Sequence, residues 1–329
     1  MAGRRILVTG GAGFIGSNLV EALLARGDEV VVVDDFSTGR RENLAPFAGD
    51  PRFTLIEGDI RDENVCREAV AGVDCVLHEA ARGSVPRSID DPVNATSINV
   101  GGFVNLLYAA HRAKVRRFVY ASSSSVYGDS PRLPKVEDDC GRPLSPYAAT
   151  KQADELFAEN FRAVYGVEAA GLRYFNVFGR RQDPRGGYAA VIPKFAAALL
   201  KHERPVIYGD GTQSRDFTHV DNVVHANLLA LDTPLPEREK AVCNVACGVR
   251  LTLNELFAAL REELAAFDPA VRGIEPEYAA PRRGDVPHSL ASIDRARELL
   301  GYVPCVDVRE GLRRTAKWYF ENLSDDMAI

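Results

Sequence analysis

Gly10-Gly11-Ala12-Gly13-Phe14-Ile15-Gly16 sits between an apolar run, residues 4–9 (RRILVT), and an amphipathic stretch from Ser17 to Arg26 that Gly27 ends. The pattern predicts a strand, a tight turn and a helix. Gly10 permits the turn, Gly13 lets the backbone approach a pyrophosphate, and Gly16 permits close helix–strand packing, with the helix N-terminus facing the negative charge. Val30–Val33 reads as the next buried strand, closed by Asp34 and Asp35. Asp34 lies 18 residues beyond Gly16, near the ~20 expected of a carboxylate on a ribose 2′-hydroxyl. A carboxylate there repels a 2′-phosphate, so NAD is expected rather than NADP. Asp59-Ile60, after the third strand, is placed to meet the adenine, although Asp59 reads equally well as a helix N-cap.

Outward from this point, strands and helices alternate. Phe53–Glu57 is a third strand, a helix runs around Glu63–Ala71, and Cys75–Leu77 is a fourth strand. Apolar residues from 97 to 113 recur on a helical period. Arg117–Ala121 is a fifth strand, Tyr147–Tyr165 a long helix and Val167–Leu172 a sixth strand. The alternation predicts an α/β class, Rossmann-like, with a doubly wound parallel sheet over residues 1–177. Beyond about 177 the pattern changes. Arg180–Tyr188 is Gly/Pro/Arg-rich loop, and helices near 190–201, 221–231 and 252–266 mix with short strands at Val206–Tyr208 and Val242–Val245. Residues 178–329 are expected to form a smaller α/β substrate-binding domain, with the segment near 213–232 packing back on the first.

Composition narrows the function. The 329 residues carry 40 Lys and Arg against 46 Asp and Glu, a net charge of −6, with 46% hydrophobic residues. These values exclude disordered and fibrous classes. Without a basic stripe, neither nucleic acid nor an anionic membrane is an expected partner. Cys66, Cys75, Cys140, Cys243, Cys247 and Cys305 have no metal-ligand spacing and are expected as buried free thiols, which fits a cytoplasmic location. No apolar run approaches the ~20 residues of a membrane helix, and no metal site is expected.

Tyr147 and Lys151 in SPYAATK stand four apart on a helical segment, hence on one face. A phenol of pKa ~10 is a poor base at neutral pH. A nearby ammonium and a cationic nicotinamide stabilise the phenolate, so Tyr147 can act as base and acid. Ser122–Ser125 end the fifth strand, at the carboxyl edge where open α/β sheets hold ligands.

GGAGFIG, the serine run before VYG, and YxxxK together resemble the extended short-chain dehydrogenase/reductase family along nearly the whole chain. GSVPRS (83–88), LRYFNVFGRRQDP (172–184), YAAVIPK (188–194), SRDF (214–217) and RGDVPHS (283–289) are more narrowly similar to bacterial UDP-N-acetylglucosamine 4-epimerases. The resemblance implies Ser123, Tyr147 and Lys151 as catalytic residues and an NAD that stays bound through turnover. For NAD it also implies contacts from Phe14, Ile15, Ser37, Thr38, Gly39, Ala80, Ala81, Asn99 and Tyr174. For a UDP-sugar it implies Arg215, Arg282 and Asn176 at the diphosphate and Ala190, Val191 and Tyr208 at the uridine. Ser84 and Ser124 fall at the hexose and its acyl group, and Asp285 either braces its loop or holds a ribose. Ser289 stands where members restricted to UDP-glucose and UDP-galactose carry a bulky Tyr, so a 2-N-acetyl group is expected to fit. A homodimer through 98–113 and 151–165 is expected by the same analogy.

Three positions depart from the family's pattern. Glu79 stands where Gln is expected, Arg82 where a small apolar residue is, and His219 replaces an aromatic and is read as packing. His78, at a strand end, is read as a core residue. Arg82 either adds positive charge near the sugar, extending the range toward acidic sugars, or points to solvent. Three rival functions follow. A UDP-glucuronate 4-epimerase usually has Thr in place of Asn176. A nucleotide-sugar dehydratase needs acidic residues where Ser124 and Ser125 stand. A non-catalytic NAD-binding module has no need of the Ser/Tyr/Lys set.

Overall fold

β1 (Arg5–Thr9) and β2 (Glu29–Asp34) are near-continuous buried apolar runs, as strands covered on both faces must be. They pair in parallel, with Ile6 opposite Val30 and Val8 opposite Val32. In the computed structural model, which describes residues 3–185, 189–236, 240–281 and 288–323, five more strands extend this pair. They are β3 (Phe53–Glu57), β4 (Cys75–His78), β5 (Arg117–Ser123), β6 (Ala169–Tyr174) and the strand Val242–Val245. All pair in parallel, in the order β3-β2-β1-β4-β5-β6-Val242–Val245. This is the doubly wound α/β sheet that the sequence predicts. The order reverses between β1 and β4, which opens a crevice at the carboxyl ends of those strands.

Helices cover both faces. α1 (Phe14–Arg26) and the helix Val220–Asp232 bury Leu19, Val20, Leu23, Val223, Ala226 and Leu231 on one side. The helices Glu63–Ala69, Phe103–Arg112 and Pro146–Tyr165 bury Cys66, Leu106, Leu107 and Phe161 on the other. A separate core of Ile192, Phe195, Leu256, Leu260, Leu312 and Tyr319 joins the helices Val191–Leu200, Leu253–Ala265 and Val308–Leu323. Beyond residue 177 the chain thus returns twice to the sheet, as Val220–Asp232 and as Val242–Val245.

Two local expectations are corrected. Residues 97–113 are not one α-helix, because Ser97–Gly102 is π-helical before the α-helix starts at Phe103. The wider turn is where Asn99 hydrogen-bonds the neighbouring loop and the helix Pro146–Tyr165. The six cysteines are free, but only Cys66, Cys75 and Cys243 are buried, whereas Cys140 and Cys305 are exposed on the surface loops that carry them. Among the described residues no helix is long and apolar enough to cross a membrane.

Candidate active site

The loop from β1 to α1 forms one wall of a cleft of about 730 Å³. Gly10 has φ +66°, a left-handed conformation that favours glycine. A Cβ on Gly16 would lie 2.1 Å from the Gly10 carbonyl oxygen, so only glycine lets α1 start so close to β1. Gly16→Ala is therefore expected to lower the NAD retained by the purified protein by roughly tenfold or more, read by quantifying released nucleotide after denaturation. The Asp34 carboxylate accepts from the backbone N–H of Ala12 at 2.8 Å and of Phe36 at 2.9 Å. Burial raises its pKa against these two donors. Ser37, Thr38, Gly39, Asp59, Ile60, Ala80, Ala81 and Ser84 line the same cleft with Gly10, Gly13, Phe14, Ile15 and Gly16. Asp59 is paired with Arg61 at 2.5 Å, and Asp62, not Asp59, caps the helix Glu63–Ala69. The cradle and the paired Asp34 oxygens suit a dinucleotide with a free 2′-hydroxyl.

SPYAATK folds as its residues dictate. The Ser145 hydroxyl accepts from the Ala148 N–H at 3.1 Å, and Pro146 takes the first helical position. Ser88 accepts from the Tyr147 N–H at 3.0 Å, so GSVPRS pins the start of this helix. Lys151 is 2% exposed and donates to the Ala121 carbonyl at 2.9 Å and to Asp154 at 3.2 Å. Burial disfavours its charge, but Asp154, Tyr147 and Glu79 outweigh that effect and hold the ammonium above its ordinary value. Alternation along β5 sends Ser122 to Glu155 at 2.5 Å and leaves Ser123 on the opposite side, where its hydroxyl accepts from the Ser125 N–H at 3.2 Å. Tyr147 and Lys151 are thus four apart on one helix, beside the carboxyl end of β5.

A second pocket of about 570 Å³ holds Asn176, Ala190, Val191, Tyr208 and Arg215. Gln182, Ala189 and Ala190 line both cavities and form their shared wall. Asn176 (φ +37°) and Ser84 (φ +91°) both adopt a conformation that non-glycine residues rarely take. Asn176 donates to the Asp216 carbonyl at 2.9 Å. The Asp216 carboxylate, fully buried, accepts from the N–H groups of Cys247, Gly248 and Ala291 at 3.0, 3.1 and 3.2 Å. Ser289 donates its N–H to the Ser214 carbonyl at 2.9 Å, beside Arg215, but it is not among the residues lining the pocket. Arg282 and Asp285 lie outside the described residues.

Other expected positions are occupied differently. Asn99 is buried; its amide accepts from the Arg82 N–H at 2.7 Å and donates to Thr150 at 3.0 Å, so it braces a loop against the helix Pro146–Tyr165. Tyr174 donates to Glu79 at 2.7 Å from behind the cleft. Arg82 lines the first cleft and not the second pocket. His78 is buried against Phe103 and Phe118, and burial beside Lys151 lowers its pKa to about 3. His219 packs on Phe178 and accepts from the Asp221 N–H at 3.3 Å. Sequence reading missed Asp154, Asp216 and Asn227. SRDF contains Asp216, but three donors distant in sequence mark it only once the chain is folded.

A model of the NAD dependent epimerase/dehydratase family matches residues 6–246. The UDP-glucose 4-epimerase of Mycolicibacterium smegmatis is 41% identical over 322 residues, covering 97% of this chain and 99% of that one. A UDP-N-acetylglucosamine 4-epimerase from Methanobrevibacter ruminantium M1, solved with UDP-N-acetylmuramic acid, superposes with a TM-score of 0.90 at 38% identity, covering 98% and 99% of the chains. The Thermus thermophilus UDP-glucose 4-epimerase, solved with NAD, gives 0.83 at 36%, covering 97% and 99%. Chains named UDP-glucuronate 4-epimerase and dTDP-glucose 4,6-dehydratase match along most of this sequence too. With its glycine cradle, its Asp34 and its Tyr147–Lys151 pair, the chain belongs to the NAD dependent epimerase/dehydratase family, within the extended short-chain dehydrogenases/reductases, and its cofactor is NAD.

Proposed function

We propose that this protein is a UDP-sugar 4-epimerase that interconverts UDP-N-acetylglucosamine and UDP-N-acetylgalactosamine and also accepts UDP-glucose and UDP-galactose. The observation that carries this is the buried Lys151 ammonium, fixed by Ala121 and Asp154 and coupled to Tyr147. NAD, when bound, supplies a hydride acceptor and returns the hydride. Tyr147 takes the proton of the sugar 4-hydroxyl as that hydride leaves C4, and gives it back once the 4-keto sugar has presented its other face. Lys151 stabilises the phenolate, and Ser123 steadies O4 by a hydrogen bond. Residues 1–177 hold the dinucleotide. Residues 178–329 hold the nucleotide sugar, through Arg215, Tyr208 and the start of the helix Val191–Leu200, whose N-cap Ala190 offers no side-chain cap to compete for its N–H groups, and Asn176 joins them from the end of the first segment. Arg282 and Asp285 stay with this reading as diphosphate and ribose contacts. A homodimer is part of it: Tyr108, Leu156 and Val164 are exposed apolar side chains on the helices Phe103–Arg112 and Pro146–Tyr165.

The test is incubation of the purified protein with UDP-N-acetylglucosamine, UDP-glucose and UDP-glucuronate side by side, followed by chromatography of the sugar nucleotides. The 4-epimer of the N-acetyl sugar is expected. A 4-keto-6-deoxy product would replace this reading with a dehydratase, and turnover confined to UDP-glucuronate would replace the substrate. Ser289→Tyr tests the size argument. Ser289 itself lies outside the pocket lining but is bonded to Ser214, next to Arg215. A longer side chain reaching from there into the space that the resemblance gives to the acetyl group is expected to cut kcat/KM for UDP-N-acetylglucosamine roughly 100-fold, with UDP-glucose within about threefold of wild type.

A further inference from the structure

Glu79 is the first residue after β4 and donates its N–H to the Thr9 carbonyl at 3.2 Å, which fixes it at the crevice between β1 and β4. Its side chain is tied from behind. Asn227 donates through its amide to both the Val223 carbonyl at 2.9 Å and the Tyr174 hydroxyl at 2.8 Å. With that hydroxyl already accepting, its own proton goes to Glu79 Oε1, at 2.7 Å. Oε2 makes no hydrogen bond with the described residues, while Glu79 lines the cofactor cleft. The relay thus fixes Oε1 and leaves Oε2 to the cleft that Glu79 lines, with the Lys151 ammonium acting on the carboxylate.

The charged and titratable groups around it can be named element by element. The helix Pro146–Tyr165 contributes Lys151, which is itself flanked by Asp154 and Tyr147, β6 contributes Tyr174, and Arg82 follows on the same loop. His78, on β4, is held neutral. Thr9 and Asn227 bring no charge. Tyr174 stays protonated, because burial pushes its pKa up.

We infer that Glu79 is a positioning residue that sets which oxidation state of the nicotinamide the cleft holds more tightly. This rests on the proposed placement of the nicotinamide beside Tyr147 and Lys151. The oxidised ring is a cation and the reduced ring is neutral. A carboxylate in a half-buried cleft favours the cation, and a neutral acid does not. Burial pushes Glu79 up to about 7, opposed by the Tyr174 hydrogen bond and by Lys151. The preference for the oxidised form is therefore full above that value and is lost as pH falls through it. In a 4-epimerase the hydride must go back to the sugar, and a cleft that prefers the oxidised ring drives that return.

The full-length protein, incubated with a large excess of an equimolar mixture of NAD+ and NADH until the nucleotide it retains no longer changes, and passed through gel filtration, reports the ratio it holds; the reduced ring is read by its near-ultraviolet absorbance. For the wild type the oxidised-to-reduced ratio is expected to be about tenfold higher at about pH 8 than at about pH 6. Glu79→Gln is expected to give one ratio at both pH values, equal to that of the wild type at low pH. Tyr174→Phe, which removes a donor to Oε1, is expected to move the midpoint to higher pH, and it serves if Glu79→Gln does not fold. A wild-type ratio independent of pH, or one whose pH dependence survives Glu79→Gln or disappears with Asp154→Asn, overturns the inference. No sugar is present in this measurement. Its failure leaves the epimerase reading standing, and failure of the sugar assay leaves the retained ratio unchanged.

Discussion

Tyr147→Phe is expected to lower kcat for 4-epimerisation by about a thousandfold while the protein keeps its NAD. The substitution removes one oxygen, and with it the group placed beside Lys151 that can both take and return the proton of the 4-hydroxyl. The fold has little reason to notice. The start of the helix is held by Ser145 on the Ala148 N–H and by Ser88 on the Tyr147 N–H, contacts that do not involve the phenol. Lys151 keeps Ala121 and Asp154. Activity is read by chromatography of UDP-N-acetylglucosamine reactions, retained NAD by nucleotide release, and folding by thermal unfolding. Inversion at near-native speed would remove Tyr147 from the mechanism.

The largest effect on stability is expected at Asp216→Ala. Its fully buried carboxylate is the acceptor for the N–H groups of Cys247 and Gly248, which are half-buried, and of Ala291, which is buried. Truncation leaves three donors without a partner. At about 1–3 kcal/mol for each orphaned group, a loss of roughly 4 kcal/mol or more is expected. That is a large share of the ~5–15 kcal/mol that separates a folded domain from its unfolded chain, and Tm should fall by about 10 °C. Asp216→Asn, which keeps the shape and one oxygen, should recover about half of the loss. A variant that melts within about 2 °C of wild type would show that these three donors find water instead. The same three bonds join the Ser214–Arg215 strand to the loops at 247–248 and 291, so the damage should also reach the second pocket.

How much of this was legible beforehand follows from which contacts are local. The glycines at 10, 13 and 16, the acidic end of β2 and the i,i+4 pair at 147 and 151 act over fewer than two dozen residues, and each has a spacing that chemistry requires. The parallel pairing of the strands follows from their alternation with helices. Other features depend on residues that only the fold brings together. The relay from Asn227 through Tyr174 to Glu79 joins a helix, β6 and the end of β4. Asp216 is one acid among many until its three donors arrive. The π-helical turn at Ser97–Gly102 departs from a clean helical period because Asn99 serves two neighbouring segments at once. The positive φ of Ser84 has no propensity of serine to announce it, whereas asparagine, at 176, is among the residue types that tolerate that conformation.

Asp34 carries a consequence for anyone wishing to change the coenzyme. Its two oxygens are also the clasp that holds the loop after β1 to the loop after β2, through Ala12 and Phe36. Swapping it for a residue that welcomes a phosphate would unfasten the clasp along with the repulsion. A conversion to NADP would have to supply new acceptors for both backbone donors, and so calls for a rebuilt loop rather than a single exchange.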